Sequence, residues 1–472
     1  MNQFEICPNP NLKREKEKFQ MRTKLITLLV LLSVLLSACG GNAAPANVPA
    51  ADEAPAAEAP AAEEAPAAEA SADQITLRVM LVDYIPDVTD TWLEEEVVPA
   101  FQVDHPNVDV EFIYVNWGTL GETVQGYFAA GEGADIINLG SEFVAVYGDS
   151  LAPLNEYLGE QAWPEIAEFV PASLDTVTWN GELRGLPWLT APRTYMCRTD
   201  LLAEVGIDAA PTTFADAISE AAAGTVVENN AVTRAGVVTT GRLDDWQEYI
   251  SLIWSLGGTM YKDNGESNFD TPEAKAALQF MYDRRRAVYA DENVADLPEA
   301  TGSRLADGST VCQWSNLWGA PATSDEIWSN IELVPGLTDT ENFPNSKPVV
   351  QVFNDWLAVP AYSQNIPMAV EFLKFLGSAE NLNKYNSDFG SFPPRKDARF
   401  GYIENDAVMQ ELGSMMDEYG VGFADIRETT QLTQILQTEL PAFFTDMQDI
   451  DTTLANMQSQ YSQVLADAGR IQ

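Results

Sequence analysis

Apolar and polar positions alternate along the chain in blocks whose period changes from two to about 3.6 and back. Ile75 to Val82 (ITLRVMLV) and Val108 to Val115 (VDVEFIYV) read as strands, and Ala134 to Leu139 (ADIINL) as a third. Between them, Trp92, Val97 and Phe101 recur at helical spacing among carboxylates, and Leu120 to Ala130 reads as a helix stopped by Gly131. A β-α-β-α-β order predicts a parallel sheet covered by helices, with ligands met by loops at the carboxyl ends of the strands. Those ends carry Asp83-Tyr84, Asn116-Trp117 and Ser141-Glu142-Phe143.

A second α/β region begins near Leu186. Trp246, Ile250, Ile253 and Trp254 form an apolar helix face that ends at Gly257-Gly258, which places Trp254 in the core. Thr271-Pro272-Glu273 caps a helix with Ala274, Ala277, Leu278, Met281 and Tyr282 on one face, and Arg284 to Arg286 are expected to complement its dipole. Val311 to Trp314, Ile331 to Val334 and Val349 to Val359 read as strands. Pro367 opens a helix that Gly377 closes, and the chain beyond about Asp406 is mainly helical.

The segment before Gln74 follows another logic. Arg22 and Lys24 precede an apolar run from Leu25 to Leu36, too short to span a bilayer, which takes ~20 residues. It ends in Leu36-Ser37-Ala38-Cys39, the pattern of a lipoprotein signal, so residues 1–38 read as leader and signal with a true start at Met21. Cleavage before Cys39 would leave a lipidated N-terminus at the outer face of a bacterial cell membrane, at the cell surface or in the periplasm. Residues 39–73, almost all Ala, Pro and Glu, bury nothing and predict a disordered, extended tether.

Composition narrows the partners. The chain carries 26 basic and 71 acidic residues; without residues 1–38 these become 20 and 68, a formal charge of −48. Such a surface argues against nucleic acid as a partner, whose phosphates need Lys and Arg. His105, the only histidine, lies in a turn, so a Ser-His-Asp triad or a His-rich metal site has little to be built from, and neither metal nor cofactor is expected. Cys197 and Cys312 remain after the leader and lipobox cysteines; a disulfide and two buried thiols both stay open.

The order of several motifs resembles the extracellular solute-binding proteins of family 1, the maltose-binding-protein-like carbohydrate receptors of bacterial ABC transporters. It is carried by FQVDHPNVDV (Phe101 to Val110), FAAGEGADIINLGSE (Phe128 to Glu142), Gly185-Leu186-Pro187-Trp188, Trp254 to Gly258, and Asn354-Asp355-Trp356 running into Ala358-Val359-Pro360-Ala361. AVEFLKFL (Ala369 to Leu376) and Phe392-Pro393-Pro394-Arg395-Lys396 complete it. The resemblance implies an α/β, two-lobed periplasmic-binding-protein fold (type II) with hinge crossovers near Leu186 to Thr194, Lys347 to Gln351 and Ser391 to Lys396. Lobe 1 would comprise 74–188 plus 349–394, and lobe 2 189–348 plus 395–472. It also implies a monomer that delivers a mono- or oligosaccharide to a membrane permease without chemistry.

A sugar presents hydroxyls at its edge and C–H faces above and below, so its receptor needs aromatic platforms with polar groups in the ring plane. The candidates are Asp83, Tyr84, Trp117 and Glu142 in the first lobe and Asn316 and Trp318 in the second. Trp188, Asp355, Trp356 and Arg395 lie near the crossovers, and Asp245 and Trp246 at a helix start. Glu142 stands where relatives place a polar sugar-binding residue and Trp318 where they place a stacking Trp. Phe143 and Leu139 depart from the maltose pattern, in which a basic and an aromatic residue stand there. A receptor for glycerol 3-phosphate or a polyamine, and a surface glycosidase using two carboxylates, are the rival functions.

Overall fold

The computed structural model describes residues 74–86, 88–238, 245–289, 297, 304–316, 325–422 and 426–471. The leader, the tether, Cys39 and Trp318 lie outside the described residues.

The expected parallel start is present. β1 (Ile75–Val82) pairs in parallel with β2 (Val108–Val115) on one side and β3 (Ile136–Gly140) on the other. The intervening helix from Thr89 to Gln102 includes one wide π turn at Leu93–Val97. The next helix, Trp117–Ala130, starts three residues earlier than its apolar pattern suggests because Asn116 caps it, its side chain accepting from the Thr119 N–H; Gly131, at φ 67°, ends it.

One long strand joins the two halves of the sheet. The first part of β6 (Gly185–Arg198) pairs with β11 (Val350–Ala358), as far as the Gln351–Arg193 register; from Thr194 onward it pairs with β9 (Thr310–Ser315) and β10 (Ile331–Val334). β11 in turn runs antiparallel to β3, and β9 runs parallel to β8 (Ala231–Val237), which pairs with β7 (Val226–Glu228). The strand order is therefore β2-β1-β3-β11-β6-β9-β8-β7, with the handover at Arg193/Thr194. Phe392 bridges Thr190 just before that point, so the expected crossing segments lie side by side.

Asn354 ties these strands together. Its backbone N–H donates to Ser141 Oγ at 2.7 Å and its side chain accepts from Thr190 Oγ1 at 2.7 Å and donates to Thr176 Oγ1 at 2.7 Å. A buried amide whose oxygen and both N–H groups are hydrogen-bonded holds β3, β6 and β11 in one register.

In the second half Cys197 and Cys312 face each other across β6 and β9 and are joined as a disulfide. The helix Pro272–Val288 is capped by Thr271 as expected, but Arg284 does not serve its dipole in solvent. It is 1% exposed and bonds Glu248 Oε1 at 2.7 Å. An arginine on the apolar face of the helix turns inward once a buried carboxylate awaits it. β4 (Thr178–Trp179) and β5 (Glu182–Leu183) form a separate hairpin, absent from the apolar pattern, whose Asn180 and Gly181 have φ of 52° and 79°. β12 (Gly420–Gly422) adds to the start of β11.

Candidate functional site

Tyr84 follows β1 at its carboxyl end. Its hydroxyl donates to Asp355 Oδ2 at 2.5 Å and accepts from Trp117 Nε1 at 2.8 Å. Asp355 also accepts from Asn138 Nδ2 at 3.4 Å, and Asn138 Oδ1 accepts the Val82 N–H at 3.2 Å. A chain of hydrogen bonds thus runs from β11 through β3 to the strand ends. Trp117, fixed at its indole N–H and by its place as the first helical residue after the Asn116 cap, remains 39% exposed. It is a held aromatic platform with an open face. The Tyr84 ring lies 4.6 Å from Phe389, which fixes the phenol from behind.

Burial sets the electrostatics of this surface. The Asp355 carboxyl is pushed up to about 7 by desolvation and by the charge of Glu142, against the opposing hydrogen bonds from Tyr84 and Asn138. Tyr84 is held well above its ordinary value by burial and by Asp355. Glu142 is also raised by burial, offset by its own backbone hydrogen bond and by Arg193. Its carboxylate folds over Gly140, where any Cβ would collide with it. Gly140 is therefore what lets Glu142 lie back along the end of β3.

Arg193 occupies the handover point of β6. Its guanidinium lies 4.9 Å from the Phe353 ring centroid and 5.7 Å from that of Trp314. Arg193 falls within the expected Leu186 to Thr194 crossover but is not among the sequence candidates; its strand position opposite Gln351 is what brings it to this aromatic pair and within electrostatic range of Glu142.

The structure brings Asp83, Tyr84, Trp117, Glu142 and Asp355 to one set of strand ends. It does not bring the other crossover candidates there. Trp188 and Trp356 are 1% and 0% exposed; Trp188 packs at 4.3 Å on Tyr385, and Trp356 Nε1 donates to Gly140 O at 2.7 Å. Both belong to the interior, because each lies on a stretch of strand covered on both faces. Arg395, 2% exposed, donates to both Asp397 oxygens, to Glu165 and to the Gly377 carbonyl, and its guanidinium lies over Trp163 and Phe169. Four of its five N–H donors are committed, so it acts as an anchor within the fold. Trp246 is 6% exposed and packs in the core, while Asp245 opens its helix and acts on buried Arg284. Asn316 directly follows β9.

The family described as bacterial extracellular solute-binding protein matches residues 86–382, more than half of the chain. An uncharacterized lipoprotein of Streptomyces antibioticus is 27% identical over 39% of this chain, which spans about a third (34%) of that protein's length. An arabinooligosaccharide-binding protein of Halalkalibacterium halodurans is 22% identical over 58% of this chain and 60% of its own. A solute-binding protein of Thermotoga lettingae, solved with α-D-tagatose, superposes with a TM-score of 0.68 at 21% identity, covering 83% of this chain and all of that one. That superposition establishes a shared two-lobed α/β fold. The length of the family match establishes more: the chain belongs to the bacterial extracellular solute-binding proteins.

Proposed function

We propose that this protein captures a mono- or oligosaccharide between its two halves and delivers it to the permease of an ABC importer, working as a monomer held by lipid at Cys39 to the outer face of the membrane. The observation that carries the reading is the exposed Trp117 ring hydrogen-bonded to Tyr84 and through it to Asp355, with the charge of Glu142 beside them, at the carboxyl ends of the strands. A flat aromatic face with polar groups at its margin suits the faces and edges of a pyranose. The sugar-binding names of the Halalkalibacterium and Thermotoga proteins support the same class. Phe143 and Leu139, in place of a basic and an aromatic residue, weigh against maltodextrin as the sugar.

Capture needs no bond breaking. Closing the halves over a ligand is favourable only as far as the closed form binds it better. A thermal-shift screen of mono- and oligosaccharides tests the reading: a hit at a hundredfold excess over Kd adds ~3 kcal/mol of apparent stability. Trp117→Ala and Glu142→Ala should each weaken that sugar by more than about tenfold in calorimetry, roughly the value of one aromatic stack. Stabilisation by spermidine or glycerol 3-phosphate with no response to any sugar would replace the reading, as would enzyme-dependent release of reducing ends.

A further inference from the structure

The bonds that hold Trp117 run in one direction. An indole N–H can only donate, so where Trp117 Nε1 gives its hydrogen to Tyr84 Oη at 2.8 Å, the phenol turns its own hydrogen away from the indole and onto Asp355 Oδ2 at 2.5 Å. Asn138 Nδ2 donates to the same oxygen at 3.4 Å, and its amide is oriented by the Val82 N–H, which donates to Asn138 Oδ1 at 3.2 Å. Two donors converge on Oδ2, so the chain is satisfied when Asp355 is a carboxylate. A proton on Oδ1 replaces a charged acceptor by a neutral one, and bonds to the charged form are about twice as strong. A proton on Oδ2 is worse. It points at the Tyr84 oxygen, drives the phenol hydrogen back toward the indole, and sets two donors face to face. Either way the hold on Trp117 weakens, while the phenol ring stays packed 4.6 Å from Phe389.

The surroundings bring that proton change close to neutrality. Burial and the charge of Glu142 push the Asp355 carboxyl up to about 7, against the bonds from Tyr84 and Asn138. The other titratable groups around it are Tyr84 and Asp83 at the end of β1, Glu142 after β3, and Tyr385 on the helix Ala379–Phe389. Burial holds the phenols of Tyr84 and Tyr385 above their ordinary value, so both stay neutral here. Arg193 on β6 acts on Glu142, and Glu142, also raised by burial, is the rival for the same pH window.

We propose that Asp355 is a positioning residue that acts through Tyr84: as a carboxylate it holds the exposed Trp117 ring in place, and protonation releases it, so the aromatic platform is pre-organised on the alkaline side of neutrality and loosened on the acid side. The hold is a property of the free protein; its use in capture rests on the sugar reading of the site.

Indole N–H resonances of the full-length chain, labelled with 15N in tryptophan and free of sugar, test it from pH 5 to 9. The Trp117 signal, identified by its loss in Trp117→Phe, should shift with a midpoint near 7. Asp355→Asn and Tyr84→Phe should each abolish that titration while the remaining indole signals stay in place, which shows the fold intact. Glu142→Gln should keep the titration and lower its midpoint, since the charge that raises Asp355 is gone. A Trp117 signal that is flat in the wild type, or a titration that survives Asp355→Asn or vanishes in Glu142→Gln, would overturn the proposal. If Trp117 titrates as stated and the sugar screen yields nothing, the positioning role stands and sugar capture fails. If a sugar is found and Trp117 is silent, capture stands and this proposal fails.

Discussion

Two buried polar clusters in this molecule differ in charge balance, and the difference sets the core cluster apart from the proposed sugar site. In the second half Arg284, Glu248, Glu220 and Tyr195 meet in the core: Arg284 and Glu248 bond at 2.7 Å, and Tyr195 donates to Glu220 at 3.4 Å. Burial works against the charge of Arg284, yet Glu248 more than offsets it, and the guanidinium is held above its ordinary value. Glu220, the second carboxyl, is pushed up to about 8 by burial, so it stays protonated near neutrality. One cation and one anion cancel, and the surplus acid is neutral. At the strand ends, Tyr84, Asp355 and Glu142 form a cluster of acids and a phenol whose nearest cation, Arg193, acts on Glu142 alone, and it borders an exposed indole. The first cluster balances its charge within the protein, although Arg284 Nε and Glu220 Oε1 are buried without a hydrogen-bond partner. The second keeps a surplus of acid beside the exposed Trp117, where a ligand can reach it.

The sharpest way to break the comparison is to remove the cation. Arg284→Met should strand Glu248 without a partner in the core and destabilise the fold by about 3–5 kcal/mol, read by urea unfolding. Sugar affinity of the folded fraction should be unchanged. A loss under 1 kcal/mol would mean the pair is not a structural tie.

Next in size is the covalent tie of the same half. Replacing Cys197 and Cys312 together by Ser should cost roughly 2–5 kcal/mol, since the bond closes a loop with a sequence separation of 115 residues. Because the bond links β6 to β9 on the far side of the handover, unfolding should lower the cooperativity of the second half first, which hydrogen exchange across β8 and β9 would show. Equal loss of protection in β1 and β2 would contradict the division.

Acid titration distinguishes the clusters by window. Asp355 binds its proton more tightly folded than unfolded, so from its unfolded value near 4 up to about 7 the folded state carries the extra proton. Stability therefore falls as pH rises through that window, by on the order of 2–4 kcal/mol, and Glu220 carries the same fall up to about 8. Asp355→Asn should be more stable than wild type at pH 8 and equal to it near pH 4. Glu220→Gln should act most above pH 7. Melting curves at half-unit pH steps check both, and a wild-type stability that rises from pH 5 to 8 would sink the assignment.

What the sequence displays and what it hides follow from geometry. β2 and the helix capped by Thr271 were legible because one face of each meets solvent, so burial writes a period into the residues, and β1, buried on both faces from Val79 onward, was legible as a short apolar run. β6 and β11 are covered on both sides over most of their length, so their periods vanish, and the side on which a Trp points depends on a register that the sequence does not carry. Trp188 and Trp356 were placed at the cleft rather than in the interior for that reason, while Trp117, on a capped helix start, is exposed at the strand ends. Arg284 to Arg286 looked like a solvated helix end, because nothing local announces Glu248 from 36 residues away. The β4–β5 hairpin did have a local signal in Asn180-Gly181 between short apolar runs.

The smallest effect separates the two tasks of Trp117. Its ring offers a platform, and its indole N–H holds the Tyr84 hydroxyl that in turn donates to Asp355. Trp117→Phe keeps an aromatic face and deletes only the N–H, which should lower stability by about 0.5–1.5 kcal/mol, the net value of one hydrogen bond. If stacking dominates binding, sugar affinity should change less than about threefold, against the tenfold or greater loss of Trp117→Ala. A Phe variant as impaired as the Ala variant would show that positioning Tyr84 and Asp355, rather than covering the sugar face, is what Trp117 does. The strand-end cluster would then resemble the Arg284 cluster more closely, as a network whose parts work only when every bond is made.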